Sequence, residues 1–282
     1  MTTLYLTRSK TLLTVDRSCF AVQHCHRTTS RYPISQVKQI ICFEGVRLNR
    51  TSQREIQRHQ IPLLQLDRTG AICGRWYPKA EAIDRRLSLS TVDRLDVAEW
   101  LLKRHLEDSI DLLTRLKGTP SLQATRHVLL LLHETLSDAE SLDMIRGYYA
   151  TGTAYFDRAL RETLSGYILQ LNGSRPPMTV SQLLRVGESL LHHHLEIALT
   201  QARFDLSLGS LHVRADCDAP LVCDGVAVLR PCFVDGFVVR WLHHCCSNSS
   251  TWLAFCTAWE RQPFLHSQID EVVEPLHRWL TA

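Results

Sequence analysis

The sequence of 282 residues lacks the features that identify secreted and membrane proteins. Its ten cysteines form no CxxC motif and no regularly spaced set, which argues against a secreted disulfide scaffold and predicts free thiols in a reducing compartment. The opening segment, MTTLYLTRSKTLLTVDRSCF, has no apolar core of the kind found in signal peptides. No apolar run approaches the ~20 residues that span a bilayer. We therefore predict a cytoplasmic protein with no membrane partner.

The sequence also lacks a large net charge: its 32 Lys and Arg and 29 Asp and Glu give a net charge of only +3. This balance does not identify a nucleic-acid-binding protein. Almost all of the basic residues are arginine, which makes forked contacts with phosphate, but a GC-rich genome produces the same bias. The GxSxG, HExxH and phosphate-binding-loop motifs are absent as well, so the hydrolase families with such local signatures are unsupported.

The sequence does contain enough apolar residues, 45% of the total, for a sizeable core. In the first 80 residues, short β-branched and apolar runs such as TLYLT, TLLTV and CFAVQ alternate with turn residues, which predicts strands. A turn is predicted at DRTG, within a later strand pair. The polar segment TSQREIQRHQ predicts a short helix with Thr51 or Ser52 as its N-cap.

From residue 91 onward the apolar spacing becomes helical, beginning with VDRLDVAEWLLKRHLEDSIDLLTRL. Several further helical segments follow, and no internal repeat or low-complexity tract interrupts them. We therefore predict an α+β protein with a β-rich domain at 1–80, a linker at 81–90 and an α-helical domain at 91–282.

Two histidine clusters, at residues 24–26 and 192–194, and the adjacent Cys245 and Cys246 invite a metal or redox interpretation. Three consecutive histidines on a helix point about 100° apart and cannot share one ion. The two cysteines lack the basic neighbours that activate a thiol. We interpret all three features as ordinary structural residues.

The segment GSLHVRADCDAPLVCDGVAVLRP, residues 209–231, is a stronger candidate for chemistry. His212 follows a turn marked by glycine, and Asp224 lies 12 residues later. If VRADCDA forms a loop, the two side chains can converge on one divalent ion, and an imidazole with carboxylates favours Mn²⁺ over Ca²⁺. Such an ion can bind phosphate oxygens and activate an attacking hydroxyl. Taken alone, the pair also fits an ordinary polar loop.

Over nearly its full length the chain resembles the CRISPR-associated spacer-acquisition integrase family, the universal subunit of CRISPR adaptation. The N-terminal half is similar in its order of strand, short helix, strand and hairpin within YPISQVKQIICFEGVRLNRTSQREIQRHQIPLLQLDRTGAICGRW. In the C-terminal half, RPPMTVSQLLRVGESLL resembles the Arg-Pro-Pro segment of the family and the helix after it. LSLGSLHVRADCDAPLVCDGVAVLRPCFVD resembles the block that carries two of the family's metal ligands.

This resemblance implies a strand-rich domain that forms a homodimer and a helical domain that holds Mg²⁺ or Mn²⁺. It implies a metal-dependent DNA endonuclease and integrase, in which a spacer 3′-hydroxyl attacks a phosphodiester of the repeat array and the ion stabilises charge on the phosphate. The implied partners are double-stranded DNA and a small ferredoxin-like CRISPR-associated adaptation protein. His212 and Asp224 match the His and Asp of the implied Glu-His-Asp ligand set, and both are the implied catalytic residues.

The glutamate of that ligand set has no counterpart in this chain. The family motif falls on YYATGTAYF, residues 148–156, and the match of Tyr155 and Phe156 puts Tyr148 at the glutamate position. A shift of one residue gives Tyr149, so neither register supplies a carboxylate. Neutral tyrosine is a poor ligand for Mg²⁺ or Mn²⁺. Two hypotheses follow: an enzyme with a weakened site, or a catalytically inactive copy that binds DNA or scaffolds a partner.

Other polar positions of the family pattern have changed too, including those now occupied by Ser181 and Ala227. The apolar framework is kept, as expected for a retained fold with a relaxed site. By their place in the pattern, Arg85, Arg86 and Arg175 are the candidate DNA-binding residues.

Overall fold

The computed structural model describes residues 2–78, 91–116, 118–165, 168–169, 178–215, 217–245, 251–262 and 269–276. The chain divides into two compact units. The first, the strand-rich unit, consists of residues 1–79 and 250–261, and the second, the helical unit, consists of residues 80–249 and 262–282. The predicted α+β fold, strand-rich first and helical afterwards, is confirmed. The predicted linker at 81–90 lies outside the described residues.

Two small sheets form the strand-rich unit. Its elements are β1 (Thr2–Leu6), β2 (Thr11–Asp16), β3 (Cys19–His24), β4 (Arg27–Pro33), β5 (Val37–Cys42), β6 (Arg47–Leu48), α1 (Arg50–Arg58), β7 (Leu63–Leu66) and β8 (Ile72–Trp76). One sheet has the order β1-β5-β7-β8, and the other has the order β4-β3-β2-β6. Leu13, Phe20, Ile40 and Ile56 are almost completely buried in the core of this unit. Apolar residues of both sheets and of α1 thus share one core.

The turn predicted at DRTG is present and is held by its aspartate. Asp67 Oδ1 accepts hydrogen bonds from the backbone N–H of Thr69 at 2.7 Å and of Ala71 at 3.0 Å. Gly70 has a φ of +88°, a conformation that glycine adopts at little cost. This local chemistry fixes the connection between β7 and β8.

Helix α1 begins earlier than its predicted cap. The prediction of Thr51 or Ser52 as N-cap is wrong, because the side-chain oxygen of Asn49 accepts from the backbone N–H of Ser52 at 2.7 Å. The Ser52 hydroxyl instead donates to the Leu13 carbonyl at 2.7 Å, which fastens α1 to β2. Ile56 is 1% exposed, so the same side of the helix also contributes to the core.

The helical unit is built around α2. Its elements are α2 (Thr91–Arg115), α3 (Pro120–Glu134), α4 (Leu142–Leu164), β9 (Ile168–Leu169), β10 (Met178–Thr179), α5 (Val180–Gln201), α6 (Pro220–Arg230), a π-helical turn (Pro231–Asp235) and α7 (Gly236–Cys245). Residues 269–276 are also helical. Helix α2 contacts α3, α4 and α6, and Leu101, Leu102 and Leu106 are fully buried. Neighbouring helices thus cover α2 on more than one side.

Helix α8 (Trp252–Glu260) belongs to the strand-rich unit although it follows the helical unit in sequence. Phe255, Cys256 and Trp259 are completely buried, and Tyr5 of β1 donates a hydrogen bond to Glu260 Oε1 at 2.7 Å. Burial, and then the neighbouring Glu260, raise the pKa of Tyr5. The core of the strand-rich unit is therefore completed by a late segment of the chain. Among the described helices, none combines the length and hydrophobicity needed to cross a bilayer.

Candidate functional site

Asp224 is the organising residue of the candidate site. It lies on α6 and is 1% exposed. Its Oδ2 accepts hydrogen bonds from the backbone N–H groups of Ser210 and Leu211. Its Oδ1 accepts from the backbone N–H and from ring Nδ1 of His212, each at 2.9 Å. A carboxylate has about four lone-pair positions, so these four donors fill its accepting capacity.

The ring of His212 therefore has a defined orientation. The carboxylate of Asp224 is the acceptor, so Nδ1 of His212 is the donating ring nitrogen, and Nε2 is the ring nitrogen not bonded to Asp224. The side chain of His212 is 22% exposed, whereas that of Asp224 is 1% exposed. The predicted convergence of these two residues is thus present, with Asp224 holding the imidazole ring.

Two further residues fix the loop that carries His212. Arg146 of α4 donates from Nε at 3.2 Å and from Nη2 at 3.0 Å to the Ser210 carbonyl. At Gly209, an added Cβ would lie 2.5 Å from the His212 carbonyl oxygen and 2.6 Å from Pro220 Cβ. A glycine is needed at this close approach because any side chain would displace the loop.

Tyr149, rather than Tyr148, faces His212. The centroid of its ring lies 5.4 Å from that of His212, at an interplanar angle of 76°. It lies equally far from the ring of His105, at 69°. Tyr148 is displaced by about 100° around α4, on the side that also carries the exposed Tyr155. The one-residue shift, and not the register that places Tyr148 at the glutamate position, therefore identifies the side chain beside the His-Asp pair.

The phenol of Tyr149 is neutral at physiological pH. Burial raises its pKa to about 12; Asp224 and Glu188 add to this effect and Arg230 opposes it. A phenol in this state offers no negative charge to a cation, in contrast to the glutamate that the family resemblance implies.

Behind Tyr149 lies a buried polar cluster. His105 Nδ1 is 2.6 Å from the Ala227 carbonyl oxygen, and burial lowers the pKa of this imidazole to about 4. Arg230 forms ion pairs with Asp157 at 2.7 Å and with Asp235 at 3.4 Å. Burial raises the pKa of Asp235 to about 7, although Arg230 opposes the shift. The charged side chains of this cluster thus form ion pairs with one another.

The Mg²⁺ or Mn²⁺ ion predicted at His212 and Asp224 would need several ligand atoms with an available lone pair. Both Asp224 oxygens accept hydrogen bonds from N–H donors, and Tyr149 is neutral. Nε2 of His212 is the one side-chain atom of the pair that remains to ligate an ion. Within the described ranges, no group of three or more His, Cys, Asp and Glu side chains could hold a metal. The arrangement does not fit a divalent ion, and the metal-ligating role of His212 and Asp224 stays a prediction that this geometry disfavours.

The other candidates from the sequence fall into two groups. Arg85, Arg86, Arg175 and Cys246 lie outside the described residues. The interpretation of the two histidine clusters as structural stays a prediction: residues 24–26 form the end of β3 and the turn after it, and His193 and His194 are buried in α5.

Sequence reasoning missed Arg146 and His105, and it assigned Tyr148 before Tyr149. A helical signal was available, because Arg146, Tyr149 and Thr153 recur at spacings of three and four and therefore share one side of α4. The roles of Arg146 and His105 depend on backbone carbonyls of distant segments, which no local pattern encodes.

Comparison with known proteins places these features in a family. The family model described as "CRISPR associated protein Cas1" matches residues 4–248. No curated protein matches the sequence. The fold is similar to that of a CAS1 protein from Thermotoga maritima, with 17% identity, a TM-score of 0.75 and coverage of 99% of this chain and 96% of that chain.

Two other solved structures have the same fold. A casposase bound to its integration product is 16% identical, with a TM-score of 0.75 and coverage of 100% of this chain and 91% of that chain. A chain of a Cas6-RT-Cas1–Cas2 complex is 16% identical, with a TM-score of 0.77. The alignment covers 100% of this chain and 35% of that chain.

Proposed function

This chain belongs to the Cas1 family, and we propose that it is a DNA-binding subunit of CRISPR spacer acquisition that has lost metal-dependent strand transfer. The observation that carries the proposal is the saturation of Asp224 by four N–H donors, with neutral Tyr149 beside His212. In the family chemistry, a bound ion would stabilise charge on the attacked phosphate. In this chain, Asp224 and the four N–H donors from residues 210–212 instead form a hydrogen-bonded cluster that we call the clamp.

The clamp gives the His-Asp pair a structural role. To bind an ion, Asp224 would have to release at least one buried N–H donor, and an unpaired buried donor costs about 1–3 kcal/mol. Among the described residues, no third His, Cys, Asp or Glu side chain joins the pair in a group that could hold a metal. His212 and Asp224 therefore join the loop to α6, and Arg146 joins the same loop to α4.

The expected partners follow from the family. Solved relatives include a Cas1–DNA complex, a casposase with its integration product and a complex containing Cas1 and Cas2. By this analogy, the chain binds double-stranded DNA and a small ferredoxin-like adaptation protein, and it forms a homodimer through its strand-rich unit. Strand transfer in the assembly is then carried out by an intact copy of the integrase.

A spacer-integration assay on a supercoiled repeat plasmid with Mn²⁺ tests this proposal. The proteins are the wild type, His212→Ala, Tyr148→Glu and Tyr149→Glu, each with DNA binding measured in parallel. We expect no joining by the wild type and retained DNA binding by all four. Joining by the wild type that His212→Ala abolishes would establish the weakened-enzyme hypothesis instead. A wild type that binds no DNA would reject both hypotheses.

A further inference from the structure

The weak net charge of the whole chain hides a strong separation between the two units. The strand-rich unit, residues 1–79 and 250–261, contains 14 Lys and Arg against 5 Asp and Glu, a net charge of +9. The helical unit contains 18 against 24, a net charge of −6. Together they give the +3 of the whole chain. A polyanion is therefore attracted to the strand-rich unit and repelled by the helical one.

Within the strand-rich unit, α1 presents a regular row of arginines. Arg50, Arg54 and Arg58 are all exposed and recur every four residues, so they lie on one side of the helix at steps of about 6 Å. Gln53 and Gln57 are exposed between them and add hydrogen-bond donors. We call these five residues the arginine face of α1.

The charges of this face are largely available for a ligand. Among the described residues, no carboxylate lies within ion-pair distance of Arg50 or Arg54. Arg58 lies 3.6 Å from Glu55, but its side chain is 76% exposed, and such surface pairs contribute little. Glu55 is the only acidic residue of the helix.

The helix is also held rigidly from its opposite side. Asn49 caps its first turn, Ser52 donates to the Leu13 carbonyl, and Ile56 is buried in the core. These three contacts fix both the position and the rotation of α1 within the unit. The arginine face is thus pre-organised, which reduces the conformational entropy lost when a ligand binds.

We propose that the arginine face of α1 binds the sugar–phosphate backbone of duplex DNA, with the three guanidinium groups contacting phosphates along one strand. This inference rests on the proposed DNA-binding function and assigns its surface. The equal steps of a rigid helix suit the regular backbone of a duplex. A single strand is bound mainly by stacking on aromatic side chains, and α1, with the sequence RTSQREIQR, contains none.

Salt-dependent binding of a 30-bp duplex to the full-length protein, followed by fluorescence anisotropy, tests this assignment. The variant R50Q/R54Q/R58Q is compared with R115Q/R126Q/R240Q, which removes three exposed arginines from the helical unit. We expect the first variant to bind at least about tenfold more weakly, and the slope of log K against log salt to fall by roughly 2 to 3. We expect the control variant to keep the wild-type slope. Thermal unfolding by circular dichroism verifies that both variants fold.

Three outcomes would overturn the assignment while leaving DNA binding established. In the first, the two variants lose the same affinity for the duplex. In the second, the arginine-face variant binds the duplex like the wild type. In the third, the arginine-face substitutions weaken binding of a single strand of equal length as much as binding of the duplex. A wild type that binds no duplex would reject the proposed function itself, and this inference with it.

Discussion

The carboxylate of Asp224 accepts two hydrogen bonds from the same residue, His212, through its backbone N–H and its ring Nδ1, each at 2.9 Å. One side chain thus fixes both the path of the loop at His212 and the orientation of the imidazole. With the N–H groups of Ser210 and Leu211 on its other oxygen, Asp224 acts as the anchor of the loop.

Asp224→Asn should destabilise the helical unit strongly. The amide replaces one carboxylate oxygen by an NH₂ group, so two buried N–H donors lose their acceptor and the protein loses about 3 kcal/mol of unfolding free energy. Urea unfolding measures the change. Asp138→Asn, at an exposed residue of the same unit, is the matched control and should change the free energy by less than about 0.5 kcal/mol. Equal effects of both substitutions would contradict the anchoring role.

Two glycine substitutions should have opposite signs. Gly209→Ala places a methyl group 2.5 Å from the His212 carbonyl oxygen and should cost about 2 kcal/mol or more. Gly147→Ala meets nothing within 4 Å on α4 and should stabilise the protein by about 0.5–1 kcal/mol, because alanine favours the helix. Thermal unfolding of the two variants beside the wild type gives the comparison, and a tolerated Gly209→Ala would show that the loop has room to move.

The buried His105 should make the protein less stable in acid. Its pKa is about 4 in the folded state against 6.5 when exposed, so the unfolded chain binds more protons between these values. Stability from this residue is present above about pH 6.5 and falls as the pH falls toward 4, by about 2–3 kcal/mol. Asp235, with its raised pKa, titrates in the opposite direction over part of this range.

The difference in unfolding free energy between the wild type and His105→Gln isolates this contribution, because Asp235 is common to both proteins. The difference should shrink as the pH is lowered from 7.5 to 4.5. His127→Gln, on the exposed side of α3, provides the control, and its difference should stay constant. A constant difference for His105→Gln would mean that the imidazole is accessible to protons in the folded state.

Phe255→Ala should destabilise the strand-rich unit by about 3–5 kcal/mol, because the side chain is completely buried in the core that α8 completes. Leu253→Ala, on the same helix but 48% exposed, should have little effect. Circular dichroism in urea distinguishes them. Similar small losses in both variants would show that α8 is not part of that core.

The sequence predicts the two-part fold well because its hydrophobic period changes near residue 91. Local patterns miss β4, Arg27–Pro33, since its sequence RTTSRYP is polar and the strand is largely exposed. They also predict α8 as a helix without revealing that it packs with the strand-rich unit. The unit with which α8 packs is decided by the core that buries Phe255 and Trp259, and this depends on tertiary packing.

Of the candidate site, the sequence predicts the pair His212 and Asp224, but neither the hydrogen bonds that surround the pair nor the other residues beside it. The resemblance placed His212 and Asp224 together, and they do meet. The saturation of Asp224 depends on three successive backbone N–H groups turning toward one carboxylate, which residue identities do not encode. Whether Tyr149 or Tyr148 lies beside His212 depends on the rotation of α4 about its axis.

Calorimetric titration of the full-length protein with Mn²⁺ tests the central claim most directly, because it reports ion binding independently of DNA or activity. We expect no saturable binding at millimolar Mn²⁺ and no difference between the wild type and His212→Ala. Stoichiometric binding to the wild type that His212→Ala abolishes would contradict the claim that Asp224 serves its loop rather than a metal.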